Sequence, residues 1–257
     1  MALTPWDFLA AGGASLAAGA INALAGGGTL VSFPTLTAIG VPAIAANVTN
    51  TVALCPGYLA GTYAQRDDLA GQGGVLRWLA VVAGAGGLGG SLLLDVTPEH
   101  AFRALVPYLI LMSCGLLLSQ DRLRAWLTRA EHQAADMAAP THRVGLGVSV
   151  FAASVYGGFF GPGLGIMLLA FLGLFSAERL VRLNALKQAL SFVINVVAAL
   201  SFALTGHVRW ELVPVMAVAA LVGGTVGGRF ARRVNATVLR RVVVAAGTAV
   251  AISFWVG

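Results

Sequence analysis

The chain has 257 residues, of which 58% are apolar and 10% charged, with a formal net charge of +6. Soluble domains carry about 25% charged residues, so this composition excludes an ordinary water-facing surface and points to side chains that face lipid. Nor does the positive excess mark nucleic-acid binding: the sixteen Lys and Arg sit in short breaks between apolar stretches instead of along one basic face, where they orient loops and meet lipid headgroups.

In chain order, Met1 to Asp7 offers no basic n-region and no clear cleavage site, so the first apolar stretch is expected to be retained as a span. A helical span needs about 20 mostly apolar residues. Such stretches recur near 8–33, 45–64, 75–94 and 101–119, and again near 144–172, 183–204, 208–228 and 238–256. Runs such as Leu109 to Met112 and Gly115 to Leu118 lack the alternation of barrel strands. Between the two sets, residues 120–143 hold Asp121, Arg122, Arg124, Arg129, Glu131, His132, Asp136, His142 and Arg143, the longest polar interruption. The expected fold is all-α and polytopic. It has about eight transmembrane helices arranged as a first four-helix repeat (1–119), a polar linker (120–143) and a second four-helix repeat (144–257).

Duplication is legible in the glycines. Gly86, Gly89, Gly90, Val96 and Arg103 recur 138 positions later as Gly224, Gly227, Gly228, Val234 and Arg241, and Gly26-Gly-Gly28 returns 135 positions later as Gly161-Pro-Gly163. With four spans per half the second copy enters as the first did, which predicts parallel repeats; inverted ones need an odd count, for instance through a re-entrant hairpin. On an eight-span count the side with the termini holds seven Lys or Arg and the other nine, a small bias. The cluster Arg229, Arg232, Arg233, Arg240 and Arg241 makes its side the cytoplasmic one, with both termini outside.

Asn22-Ala-Leu-Ala-Gly-Gly-Gly-Thr29, followed by Pro34, is a run of helix-weakening residues at membrane depth. A broken helix there frees backbone N–H groups and the positive end of the next half-helix to receive an anion. Close packing is the competing use of glycine, and it suits the Gly57/Gly61, Gly86/Gly90 and Gly224/Gly228 pairs. Three consecutive glycines beside Asn22 and Thr29 favour a site. In the second half, Tyr156-Gly-Gly-Phe-Phe-Gly-Pro-Gly163 places Gly161 and Gly163 in the matching position. After each break comes a polar helix start, with Thr49 and Asn50 in the first half and Asn184, Lys187, Gln188, Ser191 and Asn195 in the second. These residues either cap helices or contact solute, and Lys187 either faces a cavity toward an anion or snorkels to the interface. His207, Arg209 and Glu211 read as a loop, and proton coupling through His207 or Glu178 stays open. Cys55 and Cys114 read as packing residues.

Gly84-Ala-Gly-Gly-Leu-Gly89 matches a dinucleotide fingerprint letter for letter. It lies inside an apolar span, without the preceding strand that a Rossmann site requires. With no H-E-x-x-H, G-x-S-x-G or C-x-x-C, neither a cofactor nor a metal is expected.

The Asn22-x-x-Ala-Gly-Gly-Gly-x5-Pro34-x-Leu36 pattern, with Gly40-x-Pro42, the Asn47 to Thr51 start and a later Gly-Gly-x-x-Gly-Gly before a basic turn, resembles the sulfite exporter TauE/SafE family over nearly the whole chain. The second half departs from the pattern at Gly161-Pro-Gly163, and Arg182 and Lys187 add cationic character. The resemblance implies a carrier of duplicated helical units in the cytoplasmic membrane, moving sulfur-containing and small organic anions. The residues and the resemblance meet at one mechanism: an anion held between the halves by glycine N–H groups, Asn and Thr side chains and Lys187, with the halves rocking about it. The expected partners are a small anionic solute and membrane lipid, with the coupling ion and oligomeric state open. The rivals are a membrane-embedded enzyme, for which the few acids supply no paired carboxylates, and a non-transporting assembly subunit.

Overall fold

The computed structural model describes residues 3–24, 27–130, 140–176, 178–230 and 236–256. Among them are ten α-helices and one short 3-10 turn (Arg66–Leu69), and no strand. The helices of the first half are α1 (Pro5–Leu24), α2 (Thr29–Ala38), α3 (Ala43–Ala64), α4 (Gly73–Asp95) and α5 (Glu99–Ala130). Those of the second are α6 (Pro140–Phe159), α7 (Leu164–Phe175), α8 (Leu180–Ala203), α9 (Val213–Phe230) and α10 (Ala236–Val256). Helix α4, residues Glu99–Thr128 of α5, and α8 are each long and apolar enough to cross a membrane. Leu9, Val81, Tyr108, Met112, Val148, Leu200 and Val218 are exposed on the helices, the outward apolar surface that lipid accepts and water does not.

The stretches expected as single spans at 8–33 and 144–172 are each two helices folded back on one another, so each half has five helices, not four. Gly145 near the start of α6 lies against Phe175 at the end of α7, while Gly157 near the end of α6 lies against Leu164 at the start of α7. In the first half Gly28 returns to lie against Ala18, six residues before the end of α1. Apolar composition cannot distinguish a helix that continues from one that doubles back, and the glycines that allow the reversal also read as a kink. The expected linker is shorter too: α5 runs through 120–130 and α6 begins at Pro140, while residues 131–139 lie outside the described residues.

Let the upper end of the bundle be where α3 begins. The end of α2, the start of α3, the start of α5 and the end of α10 meet there around Pro42, Glu99, Arg103 and Phe254. At the lower end the starts of α4 and α6 meet the end of α7 around Val75, Arg143 and Phe175. Helix α1 runs alongside α9, with Gly12 at Val215 and Gly19 at Ala220, and α6 runs alongside α4, with Gly147 at Trp78 and Gly90 at Val155. One hairpin therefore opens from the upper end and the other from the lower end, which overturns the expected parallel relation. The odd number of helices per half is the reason.

Glycine sets these crossings. A Cβ on Gly90 would lie 2.0 Å from the Val155 carbonyl oxygen, and one on Gly158 2.1 Å from that of Gly87. In the matching α1–α9 pair, a Cβ on Gly223 would lie 2.0 Å from the Leu16 oxygen. Backbones this close need small residues on both helices. The dinucleotide-like glycines of α4 are thus packing residues. Around the hairpins, Phe33 of α2 meets Phe160 edge-on at 5.4 Å, and Phe102 meets the same ring at 6.1 Å. Leu168, Leu172, Leu183 and Leu186 bury the second hairpin against α8.

Candidate functional site

The two hairpin tips come together in the interior. At the first, Gly27 holds φ +94°, and the Asn22 Oδ1 accepts the Gly28 N–H at 2.8 Å. At the second, Gly161 and Gly163 hold φ +88° and +83°, a conformation favouring glycine. Pro162 between them is fixed through its carbonyl, which accepts the Tyr156 hydroxyl and, at 2.8 Å, the Ser113 hydroxyl of α5. Gly27 and Gly163 both lie against α5, beside Leu117 and Ser113. The reversals bring the N-termini of α2 and α7 to one place, and both present positive dipole ends there.

A cavity of about 10 Å³ lies between the tips, room for about one water molecule. Asn22, Gly27 and Thr29 border it from the first hairpin, Gly161, Gly163 and Gly165 from the second, Tyr58 from α3, and Lys187, Gln188 and Ser191 from α8. Lys187 is 6% exposed, and its ammonium donates to the Asn184 Oδ1 at 2.8 Å. It does not snorkel. Asn184 also donates from Nδ2 to the Gln65 Oε1 at 2.7 Å, so it stands one step behind the cavity and orients the lysine. The closed volume describes a state in which no oxyanion fits without the hairpins moving.

Asn22, Gly27, Thr29, Gly161, Gly163 and Lys187 are therefore brought together as the sequence suggests. Gly26 lies outside the described residues. Gly28 is at the tip, but its N–H is taken by Asn22 and its α-carbon faces Ala18. Thr49 accepts the Arg209 backbone N–H at 2.9 Å, which ties it to the α8–α9 loop instead of the cavity. Asn195 turns back on its own helix, donating to the Ser191 carbonyl. Asn50 is buried on α3 and is not among the residues that border the cavity. Tyr58 escaped the sequence reading, although it lies 137 residues before Asn195, the offset that places the start of α3 on that of α8. Glu178 pairs with Arg182 at 2.7 Å and Arg209 with Glu211 at 3.7 Å, both near helix ends. Neither His207 nor Glu178 borders the cavity.

A wider groove of about 530 Å³ opens at the lower end beside Val75, Trp78 and Phe175. It contains none of the candidate solute-binding residues named from the sequence.

Comparison with known proteins gives the fold a lineage. The chain is 30% identical over 229 residues to a probable membrane transporter protein of Haemophilus influenzae, covering 87% of this chain and 85% of that protein. It is 27% identical over 247 residues to the probable membrane transporter protein ORF9 of a Sinorhizobium species, covering 93% and 88%. It is also 27% identical over 232 residues to the probable membrane transporter protein YfcA of Escherichia coli K12, covering 90% and 82%. No solved structure matches. The model of the sulfite exporter TauE/SafE family matches residues 11–254, nearly the whole chain, and the protein belongs to that membrane transporter family.

Proposed function

We propose that the protein carries small anions, sulfur-containing ones such as sulfite and sulfonates among them, across the cytoplasmic membrane by alternating access. The observation that carries this reading is the burial of Lys187 at a cavity bordered by two helix N-termini and no acid. A desolvated cation and two positive dipole ends favour a negative solute strongly, because low polarity strengthens the attraction. The repeats are two inverted five-helix units, and the hairpins are the moving parts: withdrawing one tip from α5 opens the cavity toward one end of the bundle, withdrawing the other opens it toward the opposite end. In vesicles reconstituted with purified protein, labelled sulfite or a sulfonate is expected to accumulate, with unlabelled oxyanions competing and cations of similar size not competing. A membrane enzyme or an assembly subunit gives no flux in this assay, and that result sinks the reading.

The helix directions support one orientation. Arg66, Arg77, Arg122, Arg124, Arg129, Arg143, Arg179, Arg182, Arg229, Arg240 and Arg241 fall at or near the lower helix ends, against Arg103 and Arg209 at the upper end. Arg232 and Arg233 lie outside the described residues. So large an excess supports a cytoplasmic lower end. With Cys55 and Cys114 replaced by alanine, Asp68→Cys is expected to react with an impermeant thiol reagent only after the cells are opened. Glu211→Cys should react in intact cells, and the reverse pattern inverts the assignment.

A further inference from the structure

Helices α3 and α8 begin 137 residues apart, which places Asn47 on Asn184 and Asn50 on Lys187. In the second half this pair is complete, since the Lys187 ammonium donates to the Asn184 Oδ1 at 2.8 Å. In the first half the same amide oxygen has no donor among the described residues. Asn47 donates from Nδ2 to the Phe159 carbonyl at 2.9 Å, which fixes its orientation, and its Oδ1 is buried without a hydrogen-bond partner. Asn50, standing where the lysine stands in the other half, has a buried Oδ1 without a partner as well. Both residues are 1% exposed. A buried oxygen left without a partner costs about 1–3 kcal/mol, and two of them three residues apart share one face of α3.

We propose that Asn47 and Asn50, with the carbonyl end of α6 at Phe159, form a binding site for a small monovalent cation. The second half carries its cation covalently, as Lys187; the first half takes its own from solution. The C-terminus of α6 supplies negative partial charge at Phe159, whose carbonyl keeps a second lone pair beside the Asn47 bond. Broken helices of transporters hold Na⁺ by such carbonyl ends. The charge count selects a monovalent ion. Glu99 of α5, the acid that reaches the start of α3, uses both oxygens to accept the Ala43 N–H at 2.7 Å and the Ile44 N–H at 3.2 Å, one turn before Asn47. The Arg209 backbone N–H reaches α3 at Thr49, on its hydroxyl. Neutral oxygens alone suit an alkali cation, whereas Mg²⁺ and Ca²⁺ sites are built with carboxylates. The site does not depend on which solute is carried, and where the transport reading holds, a cation gradient becomes its driving force.

Purified protein in sodium-free choline buffer, titrated with radiolabelled sodium, tests the site without any anion present. Saturable binding is expected, displaced by unlabelled sodium and not by choline. Asn47→Ala should weaken it at least about tenfold. Asn50→Lys should abolish it while bringing the melting temperature in choline up to that of the wild type in sodium, because the new ammonium repeats the Lys187–Asn184 pair. Should Asn50→Lys fail to fold, Asn50→Ala serves in its place, with a loss of affinity like that of Asn47→Ala expected. Absence of saturable sodium binding in the wild type overturns the proposal and leaves only water at these oxygens. Binding that survives both an Asn47 and an Asn50 substitution unchanged places the ion elsewhere and overturns it equally.

Discussion

Gly28→Ala is expected to remove folded protein from the membrane, while Gly27→Ala, one residue earlier, leaves folded protein that transports poorly. The methyl at position 28 would sit 2.0 Å from the Ala18 carbonyl oxygen, against backbone that cannot swing aside. Overpacking of this kind costs about 1–3 kcal/mol or more, and here it pries apart the arms of the hairpin. At position 27 the nearest atom is Leu117 Cδ1 at 3.5 Å, an ordinary contact, so space is not the obstacle. The obstacle is φ +94°, which costs a side-chain-bearing residue about 1–3 kcal/mol. Relief of that strain turns the peptide that borders the cavity. Monodisperse yield and melting temperature, read beside flux per folded molecule, separate the two outcomes. Normal flux per folded Gly27→Ala molecule removes this peptide from the site.

Lys187→Met is expected to raise the apparent KM for an anion by roughly 10–100-fold with near-normal yield. A hydrogen bond to a charged group contributes about 1.5–3 kcal/mol, and methionine fills similar space without the charge. The stability cost falls on Asn184, whose Oδ1 loses its donor while Nδ2 keeps Gln65. Lys187→Arg should restore part of the affinity, since the charge survives and the geometry changes. Kinetics of the purified variants in vesicles give the answer: an unchanged KM in Lys187→Met means that the ammonium holds Asn184 and nothing more.

The sequence reading located the tips but not the reversals. The paired glycine runs, Gly26 to Gly28 and Gly161 to Gly163, marked the tips because Gly27, Gly161 and Gly163 need positive φ, and that requirement is written in residue type. The direction of the chain after each tip is not, since Leu30 to Leu36 and Leu164 to Phe175 are as apolar running back along their own hairpin as they would be running on. That difference changed the helix count, the relation between the halves and the distribution of arginines together. Lys187 was legible as an oddity on an apolar helix, whereas its choice of cavity over interface depended on Asn184 one turn earlier. Thr49 and Asn195 show the opposite error. A polar residue on a buried helix can satisfy itself on nearby backbone, as Asn195 does on Ser191, and no spacing rule separates that from binding.

The crossing of α1 onto α9 and of α6 onto α4 bears on how the molecule is made. When the first half leaves the ribosome, the glycine face of α1 at Gly19 has no partner, because Ala220 of α9 has not yet been made. The face of α4 at Gly90 likewise waits for Val155. The helices must therefore enter the bilayer before their closest neighbours exist, and assembly is completed by long-range pairing, the slow kind of contact. Neither half can finish alone: each leaves a backbone-deep groove that only the other fills. A gene split between α5 and α6 then yields two fragments that stand or fall by meeting each other.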